Sequence, residues 1–315
     1  MTLLVLGCFT IDDVVLPDGT TSTSQCGGNA VYGALGAAIW RSRIGMAARM
    51  GPDFPVAHVR ELERAGLELH LVPVAAPSIH NWIRYGSDDV RGMGIWDDSG
   101  SHADQSIRPG ELPPTLEHVD ACHVAPMPLA IQVELVRHLR RAGVRLVSLD
   151  PHDEHVAGNE DELLALLGEV DLFLPSRAEA RLLYGHDDPE AAVRSFVAAG
   201  PTAAVIKLGP EGSIVCGPDG VAHQVPAVPA RVVDPTGAGD TYCGGFLAAY
   251  SRQPDAVAAG RHGAVSASFA VEVRGALGLA DVDRAEAERR LAAISASPSP
   301  LPSPSSDQET SHAHG

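Results

Sequence analysis

Val232-Val233-Asp234-Pro235-Thr236-Gly237-Ala238-Gly239-Asp240-Thr241 runs straight into Tyr242-Cys243-Gly244-Gly245-Phe246-Leu247-Ala248-Ala249-Tyr250. This reads as an extended segment, a Gly-rich turn and an apolar helix. Gly237 and Gly239 bracket one small residue where the helix starts, so backbone N–H groups can converge at the positive end of the helix dipole. Such a place binds anions, phosphate above all. Asp240 sits in the same turn. A carboxylate beside an anion site is electrostatically awkward unless it works, and the work it suits is accepting a proton from a hydroxyl that attacks the phosphate. A Walker A loop would need Lys where Asp240 stands, and Lys207 is the only lysine in the chain. A Rossmann fingerprint would need a third glycine at Tyr242. A bare Gly-x-Gly-Asp would equally suit an ordinary strand-to-helix turn with an acidic first residue.

The whole run Asp-x-Thr-Gly-Ala-Gly-Asp-Thr is far more specific. It resembles the C-terminal signature of the PfkB, or ribokinase-like, carbohydrate kinases. The resemblance implies an oxyanion hole at Gly237, Ala238 and Gly239 and a catalytic base at Asp240. It extends from residue 3 to about 280, and the other motifs occur in the family's order. Gly7 is followed five residues on by Asp12, a position that binds substrate hydroxyls in the family. Gln25-Cys26-Gly27-Gly28-Asn29-Ala30 resembles the segment that contacts the acceptor sugar, with Asn29 also a competent N-cap. Gly51-Pro52-Asp53-Phe54 reads as the start of the next helix and resembles a family turn, with Pro52 in place of an Asp. Asp150-Pro151-His152 matches an Asp-Pro-Asn segment. Ser176-Arg177-Ala178-Glu179 matches the Asn-x-x-Glu motif that organises Mg2+ and phosphate through water, with Ser176 replacing Asn. Lys207 to Ser213 resembles the strand–turn–strand bordering the nucleotide; this brings in Gly209 and Gly212, and Lys207 as a candidate phosphate ligand. Residues 255–272 are small-residue-rich and correspond to the adenine border, at Gly263 and Ala267. Asp234, Thr236 and Gly275 match positions that bind a monovalent cation such as K+ in many members.

The rest of the chain is consistent with an α/β fold. Leu3 to Leu6 is a continuous apolar run, as in a strand covered on both faces. From Val119, short apolar strands alternate with helices of about ten residues, which means βαβ units and a parallel sheet. Ligands then belong at the carboxyl ends of the strands. The resemblance implies a three-layer α/β/α ribokinase-like domain over residues 1–294. It also implies a small β-sheet lid from about 11–25 and 68–100, through which members often dimerise. Trp82, Tyr85 and Trp96 are candidates to stack on substrate, or equally to pack the lid. Asn81 and Arg84 are candidates to read its substituents. Residues 295–315 are Ser/Pro-rich and polar, and disorder is expected there.

Composition sets bounds. The chain has 315 residues and a formal net charge of −17, which opposes nucleic-acid binding. The five cysteines are irregularly spaced and form no C-x-x-C pair, as in a reduced cytoplasmic protein. No apolar run reaches the roughly 18 residues of a membrane span. The expectation is an ATP- and Mg2+-dependent kinase for a primary hydroxyl of a sugar or sugar derivative. Its rivals are a nucleoside kinase of the same fold, a pyridoxal-type vitamin kinase and a catalytically silent sugar-binding regulator.

Overall fold

The structure, a computed structural model, describes residues 2–16, 18–85 and 91–295. The disorder expected at 295–315 falls outside them except for Ser295, whose hydroxyl donates to Leu291 O at 2.7 Å. The strands are β1 Thr2–Leu6, β2 Thr10–Val15, β3 Thr21–Gly27, β4 Ile44–Met50, β5 Leu67–Pro73, β6 Ile79–Tyr85, β7 Arg91–Ile95, β8 Val119–Val124, β9 Leu146–Leu149, β10 Leu172–Phe173, β11 Ala203–Lys207, β12 Ser213–Cys216 and β13 Ala222–Val225.

Nine strands form one sheet in the order β13-β12-β11-β10-β9-β8-β1-β4-β5, and four form a second, β3-β2-β6-β7. The large sheet is parallel from β11 to β5 and antiparallel only at its β11–β12–β13 edge. The β1 run shows why. Leu3 and Val5 join one hydrophobic cluster, with the helices Asn29–Ala38, Ala238–Tyr250 and Ala256–Ala270. Leu4 and Leu6 join another, with the helices Leu129–Arg141 and Pro189–Ala198. A strand between two helical layers has no polar face, so its apolar run is unbroken. This is the expected three-layer architecture with a small separate sheet.

Two expectations need correction. Residues 67–73 do not belong to the small sheet. Leu67–Pro73 pairs in parallel with β4 along its whole length, from Ile44↔Leu67 to Met50↔Pro73. The segment 44–73 is therefore one more βαβ unit, closed by the helix Val56–Arg64 and a turn at Gly66 (φ 83°). The Gly51–Phe54 turn precedes that helix rather than starting it. Asp53 Oδ1 accepts the Ser78 N–H at 2.8 Å, which fastens the turn to the segment entering β6.

The helix Ala238–Tyr250 is buried almost all round. Its close approach to Asn29–Ala38 depends on small residues: a Cβ on Gly244 would stand 1.9 Å from Gly33 O. The turn at 237 is thereby fixed against the core of the domain.

Candidate active site

Gly237 caps the helix in the left-handed region (φ 72°), and no side chain caps this terminus. A Cβ at Gly237 would lie 2.2 Å from the Tyr32 ring, so glycine is required on both counts. The helix's first intrahelical bond is Thr241 N to Gly237 O, 2.9 Å. Ala238 N donates back to Pro235 O at 3.3 Å and closes the turn. The amides of Gly239 and Asp240 come before the first intrahelical donor and point outward from the helix start. Asp240 is half-buried beside them.

The segment before the turn is held internally. Asp234 is buried, and its Oδ1 accepts both the Thr236 N–H (2.9 Å) and the Thr236 hydroxyl (2.6 Å). Thr236 Oγ1 also lies 2.7 Å from the Tyr85 hydroxyl at the end of β6. The small sheet is thus hydrogen-bonded directly to the segment that enters the Gly237–Asp240 turn. Gly275 (φ 66°) packs against Gln25 of β3, and Val271 O, at the start of its loop, accepts from Asp234 N at 3.2 Å.

The acceptor-side residues converge as expected. Asp12 is buried on β2 and accepts from Asn81 Nδ2 of β6 at 2.9 Å. A Cβ at Gly27 would stand 1.8 Å from Asp12 Oδ2, and one at Gly28 (φ 106°) 2.3 Å from Cys8 O. Burial pushes the Asp12 pKa up from 3.8 to about 6; Thr10 and Asn81 pull it down, and Asp234 raises it further. Asn29 is not the N-cap. It is the first helical residue after Gly28. Its Oδ1 accepts the Cys8 N–H (2.9 Å) and its Nδ2 donates to Pro126 O (2.6 Å), joining three loops at the carboxyl ends of the strands.

A cavity of about 440 Å³ gathers Asp12, Asn29, Asn81, Gly237 and Asp240. Its wall includes Tyr32, Ile83, Met93, Ile95 and Pro126, and also His102, His152 and Glu154. Of the substrate-reading candidates on the small sheet, only Asn81 faces this cavity. β6 alternates, so Trp82 and Arg84 lie on the opposite, exposed face. Trp82 covers Gly94 there. Trp96 is 46% exposed and packs edge-on to His80. Tyr85 faces inward but is spent on Thr236. The side chains that do face the cavity from β7 are Met93 and Ile95. Sequence reasoning missed both, along with Tyr32, His102 and Glu154. The alternation of β6 and β7 was the one available signal, and only for the strand residues.

The nucleotide-side expectations divide. Ser176 Oγ accepts from Glu179 N, and Glu179 Oε2 accepts from Ser176 N, a reciprocal capping box at the helix Arg177–Tyr184. Glu179 is buried there, with its other oxygen uncommitted to that cap. Gly209 and Gly212 make the turn between β11 and β12 with φ of 60° and 88°. Gly263 is buried, and a Cβ there would lie 2.9 Å from the Tyr242 ring, so glycine lets the two helices approach at this point. Ala267, one turn on, is half-buried.

Lys207 does not reach outward as expected. Its Nζ is bound to Asp150 Oδ2 at 2.6 Å and lies 3.4 Å from Cys243 Sγ. It sits under the turn, 3.7 Å from where a Cβ on Gly239 would be. Burial alone would lower the Lys207 pKa; Asp150, Cys243 and Glu179 overcome this and hold it charged. The ligand atoms of His123, Asp150 and Cys243 lie within 4.8 Å of one another. The ammonium already supplies positive charge there, which makes the group an internal ion pair rather than a metal centre.

The three-layer architecture with its small separate sheet is that of the ribokinase-like kinases. The chain belongs to the pfkB family of carbohydrate kinases, whose model matches residues 12–281. It is 30% identical over 256 residues to a cytidine kinase of Thermococcus kodakarensis, spanning 79% of this chain and 88% of that protein. It is 26% identical over 269 residues to a deoxyribokinase of Salmonella typhimurium, 79% and 82% of the two chains. A Burkholderia thailandensis nucleoside kinase solved with inosine superimposes with a TM-score of 0.77 at 21% identity, over 93% of this chain and 98% of that one. Kinases of this family use ATP and Mg2+. Among the described residues, no helix is long and apolar enough to cross a membrane.

Proposed function

We propose that this kinase transfers the terminal phosphoryl group of ATP to a primary hydroxyl of a nucleoside. One observation carries the choice of acceptor. Met93 (38% exposed) and Ile95 (40% exposed), with Ile83 and Pro126, give an apolar wall to a cavity that also holds the hydroxyl-binding candidates Asp12, Asn29 and Asn81. A free pentose has no apolar face to cover them, whereas a nucleobase does. The similarity to a cytidine kinase supports the same reading. A free deoxypentose is the second reading, supported by the similarity to a deoxyribokinase.

Asp12, whose carboxylate accepts two hydroxyl protons, holds the sugar together with Asn81. Asp240 takes the proton of the attacking hydroxyl, and the Gly237–Gly239 turn, whose Ala238 amide is used to close it, holds the charge on the transferring phosphoryl group chiefly through the Gly239 amide. Mg2+, when bound, would supply positive charge to the phosphate oxygens. Glu179 and Ser176 fit as its water-mediated holders, because the capping box fixes the buried carboxylate while leaving one oxygen available. Asp234 Oδ1 and Thr236 are committed to each other, so K+ would use the second Asp234 oxygen; exchanging K+ for Na+ tests this. The small sheet closes over the acceptor as a lid and limits hydrolysis of ATP by water. Pairing through its exposed face, which carries Trp82 and Arg84, would give a homodimer.

The test is Mg-dependent ADP release over nucleosides and free pentoses, with Asp240→Asn alongside. Turnover of nucleosides with the variant reduced about 10³-fold in kcat is expected. Turnover of pentoses alone would refute the nucleoside reading, and full turnover by the variant would refute Asp240 as base.

A further inference from the structure

The cavity wall holds a second polar group with no part in the transfer chemistry. His102 opens the short helix His102–Gln105, and His152 precedes the single turn Asp153–Val156, which carries Glu154. The imidazoles of His102 and His152 lie 6.4 Å apart between centroids, with His155 5.7 Å from His152. His102, His152 and Glu154 all line the cavity beside Met93, Ile95 and Pro126. The turn is held by its own side chains: Glu154 N donates to Asp153 Oδ1 at 2.8 Å and to His152 Nδ1 at 3.3 Å. Burial pushes the His102 pKa down to about 4, and His152 and His155 push the same way against Glu154. At neutral pH His102 is therefore an uncharged ring with one donor and one acceptor nitrogen. The Glu154 carboxylate can only accept.

Resting on the nucleoside reading, we propose that Glu154, with His102 and His152, forms a base-edge subsite that selects nucleobases carrying an exocyclic amino group over their keto counterparts. Cytosine and adenine offer an amino donor beside an acceptor ring nitrogen. A carboxylate takes the first and an imidazole N–H takes the second. Uracil and hypoxanthine present a carbonyl oxygen and a ring N–H at those positions. The carbonyl then faces the carboxylate, lone pair against lone pair, and the ring N–H faces the imidazole donor. Polar groups left unpaired on both partners are the strongest basis for discrimination between isosteres. Glu154 is solvent-exposed, so water relieves part of the mismatch. Selectivity of about tenfold to a hundredfold is expected, below the ~10⁴ of a sealed hydrogen-bonding site.

The experiment is kcat/KM for cytidine against uridine, and adenosine against inosine, in the intact protein and in Glu154→Gln and Glu154→Ala. A carboxamide both donates and accepts, so Glu154→Gln should bring each ratio to within about threefold, chiefly by raising the keto substrate. Glu154→Ala should lower the amino substrate instead. Nucleoside turnover with ratios near one in the wild type, or with ratios unmoved by both substitutions, overturns the subsite and leaves the nucleoside reading standing. Turnover of pentoses with none of nucleosides overturns both.

Discussion

Replacing Asp12 with Asn should make the protein more stable and less active, and both effects should depend on pH. Asp12 is 3% exposed. Burial raises its pKa from 3.8 to about 6, a change of about two units, or about 3 kcal/mol against the ionised form. Because the folded-state value lies above the unfolded one, the neutral carboxyl favours folding. That stabilisation is complete below about pH 4 and is lost as pH rises through 6. Asn is neutral throughout. Thermal melts should therefore show Asp12→Asn equal to wild type near pH 4 and up to about 3 kcal/mol more stable at pH 8. Activity should move the opposite way, because acceptor hydroxyls need the ionised carboxylate. Wild-type kcat/KM for the acceptor, from ADP release at saturating Mg-ATP, should fall about tenfold per pH unit below 6. The variant should lack that acid limb and lie on the order of ten- to a hundredfold lower at pH 8, through loss of a charged hydrogen bond. An acid limb that survives in Asp12→Asn, or a variant less stable than wild type at pH 8, would refute the reasoning.

Other substitutions probe the surrounding structure. Gly237→Ala must adopt a left-handed conformation costing about 1–2 kcal/mol, with its methyl group on the Tyr32 ring. Denaturant melts should show at least that loss, and kcat should collapse with the turn. Lys207→Met strands Asp150 as a buried charge, and a loss of about 3–5 kcal/mol is expected, recovered in large part by adding Asp150→Asn. Trp82→Ala and Arg84→Ala alter the exposed face of β6 and should leave the acceptor KM within about twofold.

Where backbone chemistry set the outcome, the sequence was sufficient. The Thr236–Asp240 run needs glycine at one φ, small residues around it and a helix behind it, and these demands are local. The parallel sheet was legible because Leu3–Leu6 and Ala203–Lys207 lack the alternation of a half-solvated strand. The small sheet was less legible. Which face of β6 looks inward depends on the pairing of Asp12 with Asn81, a contact 69 residues long in sequence. Aromatic residues drew attention to Trp82 and Trp96, yet the cavity is walled by Met93 and Ile95. Lys207 misled for a related reason. An isolated lysine near a nucleotide loop reads as a phosphate ligand until its neighbour is known, and Asp150 lies 57 residues away. Glu154 and His102 gave no signal, since a surface glutamate and a loop histidine are common everywhere.

The single lysine also gives the chain an unusual chemical handle. With its ammonium locked onto Asp150, the folded molecule offers amine-reactive labels little beyond its α-amino group. Acylation at Lys207, read by mass spectrometry, would therefore record each opening of the floor beneath the phosphate turn. A lysine-specific protease would cut the opened chain once, into 1–207 and 208–315, separating Asp12, Asn29 and Asn81 from Asp240.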